Sequence, residues 1–329
     1  MARPLQQLQA AGTVVIADTA DFEKIAEFNA SEGTTNPSLL YAAACNPAYE
    51  SIISKTIAYA KSHPEISHDE RLSLAVDFLA VQFGTQICKL TGKISTEADV
   101  TLSFDVQGTV AAARRIIALY EKEGVKKENV RIKISATWEG IQAAKILQRE
   151  HGISCLITVV FSLVQVIAAA EAGVDAVAPY VGRMADWGKA NGYQGDMGVD
   201  RVSEMQNYLR KFGFKTQVMA ASFRNVDQVR GLAGIDLLTA APAILKAVEA
   251  ETEPIVPKLT AESGKLVASP GRAAAARIAR LEDAIGAAWI CGKDSAGPGV
   301  SPARKGTVQT QRWMKGNRSP AGKKWTPKE

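Results

Sequence analysis

The feature that most constrains this chain is an alternation. Eight short β-rich runs follow one another, each leading into a stretch of helical character. They read TVVIADT (13–19), GTTN (33–36), GKISTEA (92–98), VRIKIS (130–135), SCLITVV (154–160), DAVAPYV (175–181), TQVMAAS (216–222) and DLLTAAP (236–242). A strand that hands over to a helix before the next strand arrives pairs in parallel. Eight such units in strict order predict a (β/α)8 barrel in the α/β class, rather than an open doubly wound sheet. The segments between them agree. DVQGTVAAARRIIALYEKEG, WEGIQAAKILQREHG and SLVQVIAAAEAG each close on a glycine, the usual helix stop. The interval between the second and third runs is long and holds extra helices, PAYESIISKTIAYAKS and DERLSLAVDFLAVQFGTQICKL.

The periodic pattern stops near Gly292. Residues 1–291 are therefore expected to form the barrel and to carry any catalytic domain. Residues 292–329, rich in Gly, Pro, Ser and Lys, are expected to be a disordered basic tail. From Cys291 onward nine Lys or Arg face two acids, a net +7, which leaves the rest of the chain at −2 of the total +5. The body thus has no basic footprint for nucleic acid, and no nucleic-acid partner is expected.

Other classes are excluded on similar grounds. The cysteines Cys45, Cys88, Cys155 and Cys291 form no CxxC pair, and His63, His68 and His151 sit in polar contexts, so no metal site or disulfide framework is expected. The opening MARPLQQLQAAG lacks the apolar core of a secretory leader, and no apolar run reaches the roughly 18 residues of a membrane span. A cytoplasmic protein with no membrane partner is expected.

Within VRIKIS, Val130, Ile132 and Ile134 alternate with Arg131, Lys133 and Ser135. In a barrel the apolar set faces the helices, and Lys133 points inside. Lysine rarely sits there without a partner or a task. Two readings stand open. Lys133 pairs with an inward carboxylate such as Asp18 or Glu97 and fills the barrel. Alternatively, desolvation lowers its pKa and frees an amine that attacks a ketone to form a Schiff base.

Polar groups at the other strand ends gather at the same mouth: Asp18, Asn36, Glu97, Thr158, Tyr180, Arg183, Ser222 and Arg224. Each alone could be a helix cap or a solvated group. Together they supply an amine, two carboxylates, an amide, hydroxyls and two arginines on late strands. Arginines there suit a phosphate, and a ketose phosphate fits the whole set.

VVIADT, TTNPSLL, GKISTEAD, RIKISATWEG, PYVGRMADW and ASFRN resemble, in order, the motifs of the transaldolase family, over about residues 5 to 286. The resemblance implies a class I aldolase mechanism without cofactor or metal. It implies transfer of a dihydroxyacetone unit from sedoheptulose 7-phosphate to glyceraldehyde 3-phosphate in the pentose phosphate pathway. It assigns Lys133 to the Schiff base, Asp18 to proton transfer at C–C cleavage, and Glu97 with Thr158 to a proton-shuttling water. Asn36 then binds the dihydroxyacetone moiety, and Arg183, Ser222 and Arg224 bind phosphate. Sugar phosphates are the expected partners, with a homodimer as the assembly.

Three positions depart from the family pattern. Leu156 stands where an asparagine is usual, Ala178 where a serine is usual, and Tyr180 where a phenylalanine is usual. These resemble the fructose 6-phosphate aldolases, which release free dihydroxyacetone; that subfamily has shorter chains and a glutamine where this one has Glu97. A divergent paralogue, or a catalytically weak scaffold protein, is the alternative reading.

Overall fold

A computed structural model describes residues 2–28, 30–260 and 262–263 of the 329. The eight expected runs are eight strands: β1 (Val14–Asp18), β2 (Glu32–Thr34), β3 (Ile94–Glu97), β4 (Val130–Ser135), β5 (Ser154–Val160), β6 (Ala176–Pro179), β7 (Gln217–Ala220) and β8 (Leu237–Ala240). They close in sequence order into one parallel barrel, with β8 returning to β1. The predicted (β/α)8 fold is the fold observed. The expected tail at 292–329, and the expected end of the barrel domain at 291, lie outside the described residues.

Helix α1 (Pro4–Ala10) precedes β1, and α2 (Phe22–Ala26) joins β1 to β2. The long interval after β2 holds α3 (Pro37–Ala44), α4 (Glu50–Lys61) and α5 (His68–Thr91). Then come α6 (Val106–Lys122), α7 (Trp138–His151) and α8 (Leu163–Ala172), each between successive strands. Both α9 (Val181–Ala190) and α10 (Met197–Lys211) lie between β6 and β7, α11 (Val226–Gly231) follows β7, and α12 (Pro242–Glu249) follows β8. The starts and stops have local causes. Ser67 and Glu70 close a capping box at the start of α5, and Gly92, Gly152 and Gly173 end α5, α7 and α8 in the left-handed conformation.

The strands present two unlike faces. Outward residues such as Val130, Ile132, Ile134 and Ile157 belong to the main apolar core shared with the helices. Each fully buried aliphatic side chain there contributes about 1.5–3 kcal/mol. Inward residues split the barrel interior into halves. On one side Ile16, Leu156, Ala176, Ala178, Met219 and Leu237 form a separate apolar cluster. On the other side polar and charged groups from β2, β3 and β4 fill the space. Arg131 donates to Glu32 at 2.9 Å, with both side chains buried.

Candidate active site

The strand ends bring Lys133, Glu97, Thr158, Tyr180 and Asp18 into one another's reach. Register places Glu97 beside Lys133 on neighbouring strands, and Ser135 beside Thr158. Lys133 is 7% exposed. Its Nζ donates to the Thr35 carbonyl at 3.1 Å and lies 3.7 Å from Glu97 Oε2. Of the two carboxylates considered as partners, Glu97 is the one paired; Asp18 makes no ion pair with Lys133 among the described residues. Instead Asp18 Oδ1 accepts from the Thr34 hydroxyl at 2.7 Å, and Thr34 meets Thr239 of β8, the other neighbour of β1, at 2.8 Å. That chain fixes the Asp18 carboxylate at the rim.

The electrostatics correct one expectation. Desolvation alone pulls the Lys133 pKa down, as the sequence reading supposed. The Glu97 carboxylate, with Tyr180 and Asp18 behind it, reverses this, and the net direction is upward. Burial holds the Tyr180 phenol protonated above its usual range, so at neutral pH the two carboxylates carry the effect. Glu97 is itself pushed up, by burial first, against the pull of Lys133 and with further push from Asp18 and Asp99. A small cavity of about 20 Å³ lies behind Glu97, lined by Pro37, Leu40, Asp77 and Asp99, with room for one water. The upward shift makes the Glu97 carboxylate a readier proton acceptor, while its charge, 3.7 Å away, holds the proton on Lys133.

Thr158 and Tyr180 form a second pair, hydroxyl to hydroxyl at 3.2 Å. Thr158 is fully buried, and Phe161 packs edge-on against Tyr180 with ring centroids 5.6 Å apart. No direct hydrogen bond joins Glu97 to Thr158 among the described residues. Val159, next to Thr158, has φ 64°, and the β5–β6 register shifts between Thr158 and Val160. For a β-branched residue this is strained backbone. Gln165 steadies it: its Nε2 donates to the Ala136 carbonyl at 3.0 Å and the Val159 carbonyl at 3.4 Å.

Asn36 caps α3 by accepting from the Leu39 amide at 3.0 Å, which leaves its amide NH2 for another partner. Leu156 and Ala178 lie in the apolar cluster of the barrel interior. Arg183 is exposed near the start of α9 and makes no hydrogen bond or ion pair among the described residues. Ser222 has φ 63°, a second non-glycine residue in the left-handed region. Its carbonyl accepts from the Gly182 amide at 2.9 Å. A Cβ on Gly182 would run into that carbonyl and the Arg224 side chain, so only glycine lets α9 approach this closely. Arg224 is held by Asp186 of α9 at 2.7 Å.

Sequence reasoning missed four of these groups. Thr239 and Asp186 had a signal: one is polar at a strand end, the other stands three residues after Arg183. The Thr35 carbonyl and the Gln165 clamp had none. Among the described residues no His, Cys, Asp and Glu group could hold a metal ion.

The family model described as Transaldolase/Fructose-6-phosphate aldolase matches residues 15–284. The chain belongs to the transaldolase/fructose-6-phosphate aldolase family. Among its relatives is the transaldolase of Saccharomyces cerevisiae, 49% identical over 267 residues, covering 79% of this chain and 79% of the yeast protein. The transaldolase of Sus scrofa is 47% identical over 265 residues, covering 78% of each chain. The human transaldolase is 45% identical over 260 residues, covering 77% of each. Within this family the departures at Leu156, Ala178 and Tyr180 are thus set in a chain whose named relatives here are transaldolases.

Proposed function

We propose that this enzyme transfers a dihydroxyacetone unit from sedoheptulose 7-phosphate to glyceraldehyde 3-phosphate through an imine on Lys133. The observation that carries the reading is the buried Lys133 ammonium at the barrel mouth, 3.7 Å from Glu97 and anchored to the Thr35 carbonyl. Proton transfer to Glu97 frees the amine. Its lone pair attacks the ketone carbon, and loss of the former carbonyl oxygen as water leaves the iminium. Thr158, with Glu97, handles the protons of that dehydration. Asp18 takes the proton of the hydroxyl beside the breaking C–C bond. The bonding pair flows into the iminium nitrogen, and the aldose leaves. The resulting enamine adds to the acceptor aldehyde, Asp18 returns the proton, and hydrolysis frees the new ketose. Asn36 orients the three-carbon unit, and Arg183, Ser222 and Arg224 receive the phosphate.

Borohydride with fructose 6-phosphate tests this. A reduced three-carbon adduct on Lys133, seen by peptide mass spectrometry, is expected; an adduct elsewhere or none refutes it. A second reading, release of free dihydroxyacetone, has one observation in its favour. The Tyr180 phenol lies 3.2 Å from Thr158, where the family resemblance expects a phenylalanine. Turnover of sedoheptulose 7-phosphate with and without glyceraldehyde 3-phosphate separates the two.

A cytoplasmic setting is supported by free Cys45, Cys88 and Cys155. No described helix is long and apolar enough to cross a membrane. The homodimer rests on the resemblance alone, and light scattering on purified enzyme tests it.

A further inference from the structure

The phosphate-facing end of the site carries a carboxylate that the transfer chemistry does not use. Asp186 follows Arg183 by three residues on α9, so the two project from neighbouring turns of one helix face. Its Oδ2 accepts from both Arg224 Nε, at 3.1 Å, and Arg224 Nη2, at 2.7 Å. Those two donors form one edge of the guanidinium fork, an edge that also suits bidentate recognition of a phosphoryl group. The placement is held by the backbone. The Gly182 amide donates to the Ser222 carbonyl at 2.9 Å, tying the start of α9 to the segment that bears Arg224. The Arg224 and Asp186 side chains are 44% and 56% exposed, so an anion from solvent reaches the pair.

We propose that Asp186 is an internal competitor for the phosphate-binding arginine, a carboxylate that occupies the Arg224 fork and yields it to the phosphoryl group of a sugar phosphate. This rests on the reading of Arg183, Ser222 and Arg224 as the phosphate site. Two guanidiniums alone would give that site a charge of +2; Asp186 reduces it to +1. Phosphorylated ligands then bind less tightly than two free arginines would hold them, and they leave sooner. The proposed reaction needs that weakening. One phosphorylated aldose must depart and another must enter while the three-carbon unit stays on Lys133. The same carboxylate keeps Arg224 aimed between turnovers, which makes Asp186 a residue that sets the affinity for anionic substrates.

The test uses the full-length enzyme and the Asp186→Asn variant, which keeps the shape and loses the charge. Two quantities are measured: the inhibition constant of inorganic phosphate and the KM for glyceraldehyde 3-phosphate. Both should fall by about two- to fivefold, the strength of an exposed ion pair. The KM for unphosphorylated glyceraldehyde should move by a smaller factor. Asp186→Ala should shift both in the same direction. Values that stay unchanged or rise in either variant overturn the proposal and leave Asp186 as a tether. Arg224→Ala, measured alongside, keeps the two ideas apart. If it raises the phosphate inhibition constant while Asp186→Asn lowers nothing, only the competitor role fails. If it too has no effect, the phosphate site itself is wrongly assigned.

Discussion

Arg131 and Lys133 stand two residues apart on β4 and face the same barrel interior. Arg131, 2% exposed, donates to Glu32 at 2.9 Å, and Lys93, just before β3, comes within 3.9 Å of the same carboxylate. Lys133 instead meets its carboxylate at 3.7 Å and spends its short contact on a backbone carbonyl. The first pair is nearer the closed, N-terminal end of the barrel, and the second is at the open end. A buried ion pair is costly to form and more costly to break, so a tight one at the closed end reads as architecture. The longer one lies at the mouth, where the barrel opens to substrate and the Glu97 charge keeps Lys133 protonated until a substrate enters. On the proposed reading, the same strand carries a structural cation at the floor and a reactive one at the mouth.

Exchanging the reactive cation should give the largest effect. Lys133→Arg keeps the charge but cannot form the imine, and transfer should fall by on the order of 10³-fold or more. Its far-UV spectrum and melting should stay near those of the parent. Retained turnover would end the Schiff-base reading. On the other side of the comparison, Glu32→Gln leaves Arg131 buried without its carboxylate. Stability should drop by about 3–5 kcal/mol in urea unfolding, while the folded fraction keeps its kcat within a few-fold. A large loss of kcat with little loss of stability would mean that the two cations are not separable in this way.

How much of this contrast was legible beforehand follows from what each residue depends on. The eight strands were, because outward residues such as Val130, Ile132 and Ile134 repeat with period two against the helices. The run 33–36 was read slightly late: β2 spans Glu32–Thr34, and Asn36 turns away to cap α3. Lys133 stood out because a cation breaks an apolar strand. Its direction of titration did not follow, since burial and the Glu97 charge oppose each other and only the distance decides between them. The Thr35 carbonyl carries no sequence signal, because any residue supplies one. Nor does the φ of Val159, which is imposed by the β5–β6 bulge. The Arg224–Asp186 contact joins residues 38 apart, so helical spacing could suggest Asp186 but not its partner.

The arginines at the rim sharpen the contrast between mouth and floor at intermediate strength. Arg183→Ala or Arg224→Ala should weaken phosphorylated sugars by about 1.5–3 kcal/mol each, read as KM, through a lost charge-assisted bond. Unphosphorylated dihydroxyacetone should lose much less. Equal losses for both substrates would make these arginines structural, like Arg131.

The smallest effect is expected at Tyr180, where the apolar half of the interior meets the reactive mouth. Leu156 and Ala178 lie within the interior apolar cluster, so they cannot grip a hydroxylated three-carbon unit as asparagine and serine would. Above them the Tyr180 phenol, kept protonated by burial, bonds Thr158 at 3.2 Å. A phenol there can hold a water or donate a proton close to the imine, where phenylalanine would exclude both. Weaker grip and easier hydration both shorten the life of the intermediate. The parent enzyme should then release some free dihydroxyacetone from fructose 6-phosphate when no acceptor is present. Tyr180→Phe should cut that release by a larger factor than it cuts transfer to glyceraldehyde 3-phosphate, measured by coupled assays of the two products. A larger cut in transfer, or no release by the parent, would make Tyr180 a packing residue. The hydroxyl of Thr158 would then handle its protons without help from the phenol.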